Sequence, residues 1–469
     1  MNRFLAYIYN KKENENIIRN CYKDLSNKFN IHENINTYMS KNITMSNSIF
    51  TKTIGNLRYT IVFKSNIFNL KELKQKVKEF NLSNKTKLSK EKIIPEDYIS
   101  KYLEAEILIY LYHKYKVDML KYIDGYFSIC IYEKNKNRVF CATDKLGIYS
   151  LYYSKYKSGY VFSSNTEEIS FLPNFKCIIN KDSILQMLDN NFLQINIFKN
   201  IFVLEGGHYI FCDKKELKKY KYYDIPSYKI LDKENKTLLK VKKLLLNSFK
   251  KFKLVNKNKN YILSNLSFNE LYNFNCSNKN LLDINIIDFK YNILNKDILS
   301  KDDIKKYITS NINSCSKNIL NFDNSDLNEI EYRKNILLFL KFKLPLLVKN
   351  ILNKLDNNNN IYFPYLDYRL LEYLYNIGKK IDLKDILKLN ENYIFLSDNN
   401  QKDIQKLEEI TIKILKENNI KFLNNEYIKT IIYSKGKELK TLNINYYDFL
   451  NNIINLNNII KIYNVKIEI

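Results

Sequence analysis

Two patterns of apolar residues divide this chain near Pro226. Before it, short runs rich in aromatic and β-branched residues alternate with turns: FLAYIYN, RYTIVFKS, YFSICIYEK, RVFCATD, SLYYSKY, YVFSS and HYIFCD. Runs of this kind predict strands. One segment in the same half, DYISKYLEAEILIYLYHKYK (97–116), repeats its apolar residues at helical spacing and predicts a helix. From about Asn235 the pattern changes to long helical stretches, NKTLLKVKKLLLNSFKKF and RKNILLFLKFKLPLLVKNILNKL. Asn-rich segments such as NLSFNELYNFNCSNKN and LDNNNN separate them and read as compositional loops. There is no internal repeat.

The chain has 469 residues, more than one core usually holds, so two domains are expected. With 45% hydrophobic and 14% aromatic residues, large cores can form and disorder is not expected. The net charge of +26 invites a nucleic-acid reading. Against it, Arg occurs at only six positions, the lysines are spread along the whole chain, and Lys, Asn, Ile and Tyr dominate as AT-rich codons would dictate. Base readout leans on Arg, so nucleic acid is not the expected partner. Seven cysteines without a CxxC pair argue against a disulfide framework or a zinc site and for a cytoplasmic location. No apolar run reaches the length of a membrane span, so no membrane partner is expected. The histidines, His32, His113 and His208, lack metal-ligand spacing.

The order of motifs resembles the glutamine-dependent asparagine synthetases and their β-lactam synthetase and lasso-peptide cyclase relatives. IVFKSNIFNLKEL is similar to the family's strand and turn ending in an "NGEIYN" motif, and EAEILIYLYHKY with YIDGYFSICIY to the helix and strand that follow. ATDKLGIYSLYY, YVFSSNTEEISFL and EGGHYIFCDKKELKKYKYYDIP resemble three further markers, in the family's order, between Arg58 and Asp224. Farther on, NSFKKFKLVNKNKNYILSNLSFNELYNF resembles the helix, strand and pyrophosphate loop of "GVLLSGGLDSS". LPLLVKNILNKLDNNNNIYFPYLDYRLLEYLYNIG resembles the later "VPFLD" turn and helix. The resemblance implies an αββα amidotransferase-like sandwich of the N-terminal-nucleophile type at 1–228. A shortened, mostly helical ATP-pyrophosphatase-like domain is implied at 235–469.

Against that resemblance, the chemistry is missing. The family's nucleophile is a cysteine directly after the initiator Met; here that position is Asn2, whose amide cannot attack. The family's oxyanion donors come from Asn-Gly; the matching positions here are Lys64, Ser65 and Asn66. INTYMSKNITMSN has no counterpart of the "RGPD" loop that holds the glutamine carboxylate. Glu104 and Glu106 fall near the family's "SDCE" acid, and as helix-face glutamates they are expected to be solvated. The pyrophosphate loop is represented by Ser264-Asn265-Leu266-Ser267-Phe268-Asn269, without glycine or aspartate. Glycine is absent from the whole interval between Gly207 and Gly378. A loop that wraps phosphate needs the positive φ angles that glycine supplies. Ser264, Ser267 and Asn269 remain as hydrogen-bonding remnants, and a strand running into a helix capped by Ser267 or Asn269 is the favoured reading of this stretch. The family's catalytic glutamate corresponds to Asn360, which exchanges no proton near neutral pH. Asp367 survives and is expected to cap the helix that starts at Tyr368; Lys379 and Lys380 lie beyond it.

Two functional classes follow. In one, the protein is a pseudoenzyme or binding scaffold for a peptide or protein partner, without cofactors. In the other, it is a divergent ATP- and magnesium-dependent enzyme that forms amide bonds. The missing phosphate loop and Asn360 favour the first.

Overall fold

The computed structural model describes residues 4–9, 37–40, 43–46, 49–80, 96–180, 198–213 and 216–256 (apart from 229, 231 and 233). It also describes 261–263, separate positions from 329 to 348, 360–378, 404–417, 420, 423–441, 446–462 and 465–468. The chain divides into two compact units: Met1–Phe175 with Asn200–Asp224, and Lys176–Lys199 with Ile225–Ile469.

The first unit is built on two six-stranded sheets. One contains β1 (Leu5–Tyr9), β2 (Thr37–Ser40), β3 (Ile43–Ser46), β8 (Leu151–Tyr156), β9 (Gly159–Ser163) and β11 (Phe202–Leu204), in the order β11-β8-β9-β1-β3-β2. The other contains β4 (Phe50–Ile54), β5 (Leu57–Ile67), β6 (Gly125–Glu133), β7 (Arg138–Thr143), β12 (His208–Cys212) and β13 (Leu217–Lys221), in the order β13-β12-β7-β6-β5-β4. Every pairing in both is antiparallel. All seven sequence-predicted strands are present. Within INTYMSKNITMSN, β2 and β3 also pair antiparallel, and β3 pairs with β1.

Period-two alternation explains how the second sheet is held. Cys130 and Tyr132 of β6 face the first sheet, in a core shared with Phe4, Ala6, Ile8, Leu151 and Phe162. Ile129 and Ile131 point the other way, onto helices α1 (Leu70–Lys76) and α2 (Glu96–Tyr115). Both faces of β6 are therefore dry, which is why YFSICIY is apolar almost throughout. Each isoleucine buried this way contributes about 1.5–3 kcal/mol. Helix α2 is itself buried at nine consecutive positions, 104–112, so it has no solvent face along that stretch. The small helix α3 (Thr166–Ser170) follows β9.

In the second unit, α4 (Glu234–Asn256) turns Val241, Leu245 and Phe249 inward, and the Phe249 ring meets Tyr365 edge-on at 5.9 Å. Pro364 opens a 3-10 turn, Pro364–Leu366, and α5 (Tyr368–Ile377) follows. The Asp367 side chain caps α5 by accepting from Arg369 N at 3.0 Å. Gly378 closes it at φ +71°, where a Cβ would run into the Glu329 side chain. Asn376, fully buried in α5, ties down the approach to α4: its Oδ1 accepts from Tyr228 N and its Nδ2 donates to Pro226 O. Two parallel strand pairs complete the described framework. β10 (Cys177–Asn180) pairs with β16 (Val465–Glu468), and β14 (Tyr261–Leu263) with β15 (Asn360–Tyr362). Helices α6 (Ile404–Glu417), α7 (Asn425–Tyr433) and α8 (Tyr446–Ile462) lie in this unit as well; Tyr446 donates to the buried Glu408 at 2.9 Å.

Leu370 and Leu371 are essentially fully buried, whereas Leu239 of α4 is 68% exposed. Leu370→Ala or Leu371→Ala is expected to cost about 2–5 kcal/mol and Leu239→Ala less than about 0.5, measured by urea denaturation.

Candidate functional site

Lys64-Ser65-Asn66, the positions the resemblance aligns with oxyanion donors, lie near the end of β5, and alternation sends their side chains to opposite faces. The segment stays in the ladder: Lys64 pairs with Ser128, Ser65 with Phe127, Asn66 with Tyr126 and Ile67 with Gly125. Ser65 points to the helix side, where its hydroxyl donates to Glu104 Oε1 at 2.6 Å. Lys64 takes the inter-sheet side, its Nζ 4.9 Å from the centre of the Tyr149 ring. Asn66 is buried.

Glu104 and Glu106 correct the sequence reading. They are 5% and 3% exposed, not solvated. Because α2 is buried on every side here, each carboxylate needs a partner. Ser65 supplies one to Glu104, and Lys52 Nζ lies 2.5 Å from Glu106 Oε1. For Lys52, burial works against the charge, but the Glu106 carboxylate outweighs it and raises the pKa. The clue was available in the sequence: a helix apolar all round has no wet face on which to place a glutamate.

Below this cluster sits Asp144, at the end of β7 and 2% exposed. Its Oδ1 accepts from Leu146 N and Ile148 N at 3.1 and 3.0 Å, and its Oδ2 from Phe127 N and Tyr149 N, both at 3.1 Å. Its backbone oxygen accepts from Gly147 N at 3.1 Å and Gly207 N at 2.9 Å, which binds the loop after β7 to the loop before β12. Gly206 is needed there: a Cβ on it would stand 2.5 Å from the Leu146 carbonyl carbon. Burial pushes the Asp144 carboxyl up to about 6, against the downward pull of the backbone N–H groups of Tyr149, Ile148, Phe127 and Leu146. Burial also raises the Tyr149 phenol, with Asp144 and Glu104 adding to it, so the ring beside Lys64 stays neutral. Sequence reasoning overlooked Asp144. An Asp directly ahead of Lys-Leu-Gly is the composition of a turn that folds back on its own carboxylate.

Residues 52–223 match the family model of the glutamine amidotransferase domain. This segment is similar to a glutamine amidotransferase domain. A Methanocaldococcus jannaschii protein provisionally named glutamine-hydrolyzing asparagine synthetase 2 is 32% identical over 196 residues, 40% of this chain and 35% of that protein. Glutamine-hydrolyzing asparagine synthetase 3 of Bacillus subtilis is 21% identical over 193 residues, 40% of this chain and 28% of that protein. The aligned region thus spans about a third of the length of these relatives. Among solved structures, the B. subtilis glutamine phosphoribosylpyrophosphate amidotransferase complexed with ADP and GMP aligns at a TM-score of 0.32. That alignment has 10% identity and covers 56% of this chain and 60% of that one.

Asn2, Ser264, Ser267, Asn269, Lys379 and Lys380 lie outside the described residues. Asn360 is the first residue of β15, paired with Tyr261. Asp367, besides capping α5, accepts from Lys251 Nζ at 2.8 Å and from Arg369 Nε and Nη2 at 2.9 and 3.0 Å. His208 Nδ1 lies 2.8 Å from Gly206 O. Among the described residues, no group of three or more His, Cys, Asp or Glu side chains is placed to hold a metal ion, and no helix is long and apolar enough to cross a membrane.

Asp144→Ala strands four buried N–H groups and is expected to cost at least about 3 kcal/mol; Asp144→Asn, which keeps one acceptor oxygen, costs less. Because the folded-state pKa is raised, the stability this group contributes is fully present below the unfolded value and fades as pH rises through about 6. Urea denaturation should therefore show the gap between wild type and Asp144→Asn narrowing from about pH 4 to about pH 7.

Proposed function

We propose that this chain is an asparagine-synthetase-like scaffold whose amidotransferase domain binds without hydrolysing glutamine, and that it serves in peptide or amide biosynthesis through a peptide or protein partner. The observation that carries this reading is the state of Lys64, Ser65 and Asn66. An oxyanion hole works through donors held ready for a charge that develops in the reaction. Here the position of the Asn donor holds a lysine lying over the Tyr149 ring. The glycine position holds a serine whose hydroxyl is engaged by Glu104.

A second reading, ATP- and magnesium-dependent amide formation, draws on the parallel β14–β15 pair. Ser264 follows the carboxyl end of β14, the place where open α/β sheets receive ligands. The lack of glycine around Ser264, Ser267 and Asn269 weighs against a phosphate cradle there. The domain division proposed is an amidotransferase-like 1–228 and a degenerate synthetase-like 235–469, with the protein working in the cytoplasm.

Ammonia release from glutamine by the full chain is expected to stay at the uncatalysed level, and Asn2→Cys alone should not raise it, because Lys64 and Ser65 remain. Turnover by either protein would contradict the scaffold reading. Calorimetry at millimolar ATP with magnesium should register weak binding or none; a low micromolar dissociation constant would transfer support to the amide-forming reading.

A further inference from the structure

The outer face of α4 carries an order that its own core does not use. Val241, Leu245 and Phe249 form the buried side of this helix. On the opposite side, Leu239 is 68% exposed and Leu246 42% exposed. The two stand two helical turns apart, about 10.5 Å along the axis, and so share one row. Lys236, Lys243 and Lys250 repeat at the same interval and make a second exposed row beside the first. Lys242 is exposed on the other flank. From Asn235 to Lys250 the helix contains no Asp or Glu. Lys236 pairs with Asp232; among the described residues, no ion pair engages Lys242, Lys243 or Lys250. A single exposed leucine is ordinary on a protein surface. Two of them in register with a row of lysines are not explained by the packing of α4.

We propose that this face docks an acidic amphipathic helix of a partner protein, whose apolar residues lie along Leu239 and Leu246 and whose carboxylates meet Lys242, Lys243 and Lys250. The inference rests on the scaffold reading for its role and gives that reading a class of partner. A seven-residue interval is the repeat by which two helices stay in contact as they run side by side, with an apolar seam and charged rows along it. The charged positions here have one sign, so the complementary helix carries the other. An anionic bilayer fits less well. An interfacial helix lies on a broad apolar face, and the broad apolar face of α4 is buried in its own unit. Nucleic acid would engage the lysines through its phosphates and leave the leucines without an apolar counterpart.

Fluorescence anisotropy on the full chain tests this with three labelled forms of one designed helical peptide. The first has leucines at heptad spacing flanked by glutamates, the second has lysines for the glutamates, and the third keeps the glutamates and has serines for the leucines. The net charge of +26 attracts any acidic peptide, and the serine form measures that contribution. The acidic leucine peptide should bind about tenfold or more tighter than either of the others, and added salt should weaken it. Leu239→Ser combined with Leu246→Ser should erase the difference between the two acidic peptides. Lys243→Glu combined with Lys250→Glu should turn the preference toward the basic peptide. Because these side chains are exposed, both variants should melt close to the wild type, so that a lost signal reports docking and not unfolding. Equal binding of the acidic and basic leucine peptides, or wild-type discrimination by the leucine variant, would overturn the proposal. So would tighter binding to phosphatidylserine vesicles or duplex DNA than to the acidic leucine peptide. No peptide binding and no ammonia released from glutamine would remove this inference alone. Ammonia released would remove the scaffold reading beneath it.

Discussion

A sheet with both faces dry allows no idle polar group. The β5–β6–β7 ladder lies between a second sheet and a helical layer, and α2, which covers it, is buried along nine residues in a row. Every charged or hydroxyl side chain caught in that stack must find a partner or leave its hydrogen-bonding capacity unused. Most of the polar features of the amidotransferase domain answer this requirement: Glu104 with Ser65, Glu106 with Lys52, Tyr112 with Glu133, and Asp144 with four backbone amides. Among the described residues of this stack, the Ser128 hydroxyl makes no hydrogen bond.

The same requirement separates what has been kept from what has been changed. Asp144 and the glycines it clamps hold two loops together through backbone contacts that depend on the fold and not on any reaction, and this motif survives. The segment Lys64–Asn66 occupies the place where the resemblance puts reaction chemistry, and there the side chains have been redrawn while the strand pairing has not. The contacts that hold this domain together and the side chains at Lys64–Asn66 rest on different atoms. The second unit follows the same pattern. The Pro364 turn, the Asp367 cap and Gly378 define a well-formed helix, while the sequence Ser264–Asn269 lacks the glycines that phosphate binding calls for.

Much of the first unit was legible in the sequence, because YFSICIYEK or RVFCATD, with aromatic and β-branched residues between turns, has few other ways to bury itself. TYMS, ITMS and FTKTI were not legible. They are short or polar, and they pair because β1 and β5 offer edges, which is a tertiary cause. The site was legible in part. Lys64, Ser65 and Asn66 could be placed by motif order, and Asp367 by its spacing ahead of a helix. Glu104 and Glu106 were misread because helical spacing reports one buried face, whereas α2 is buried on all of them. Ser128 left no signal, since a serine between Phe127 and Ile129 reads as an ordinary strand residue until its neighbours across the ladder are known.

The scaffold proposed above should carry no nucleophile that attacks glutamine. A diazoketone analogue of glutamine, which alkylates the nucleophile of a working glutaminase, tests it directly when intact mass is read after prolonged incubation with the full chain. The account predicts an unchanged mass. A stoichiometric adduct that maps to the amidotransferase domain and is suppressed by excess glutamine would contradict it.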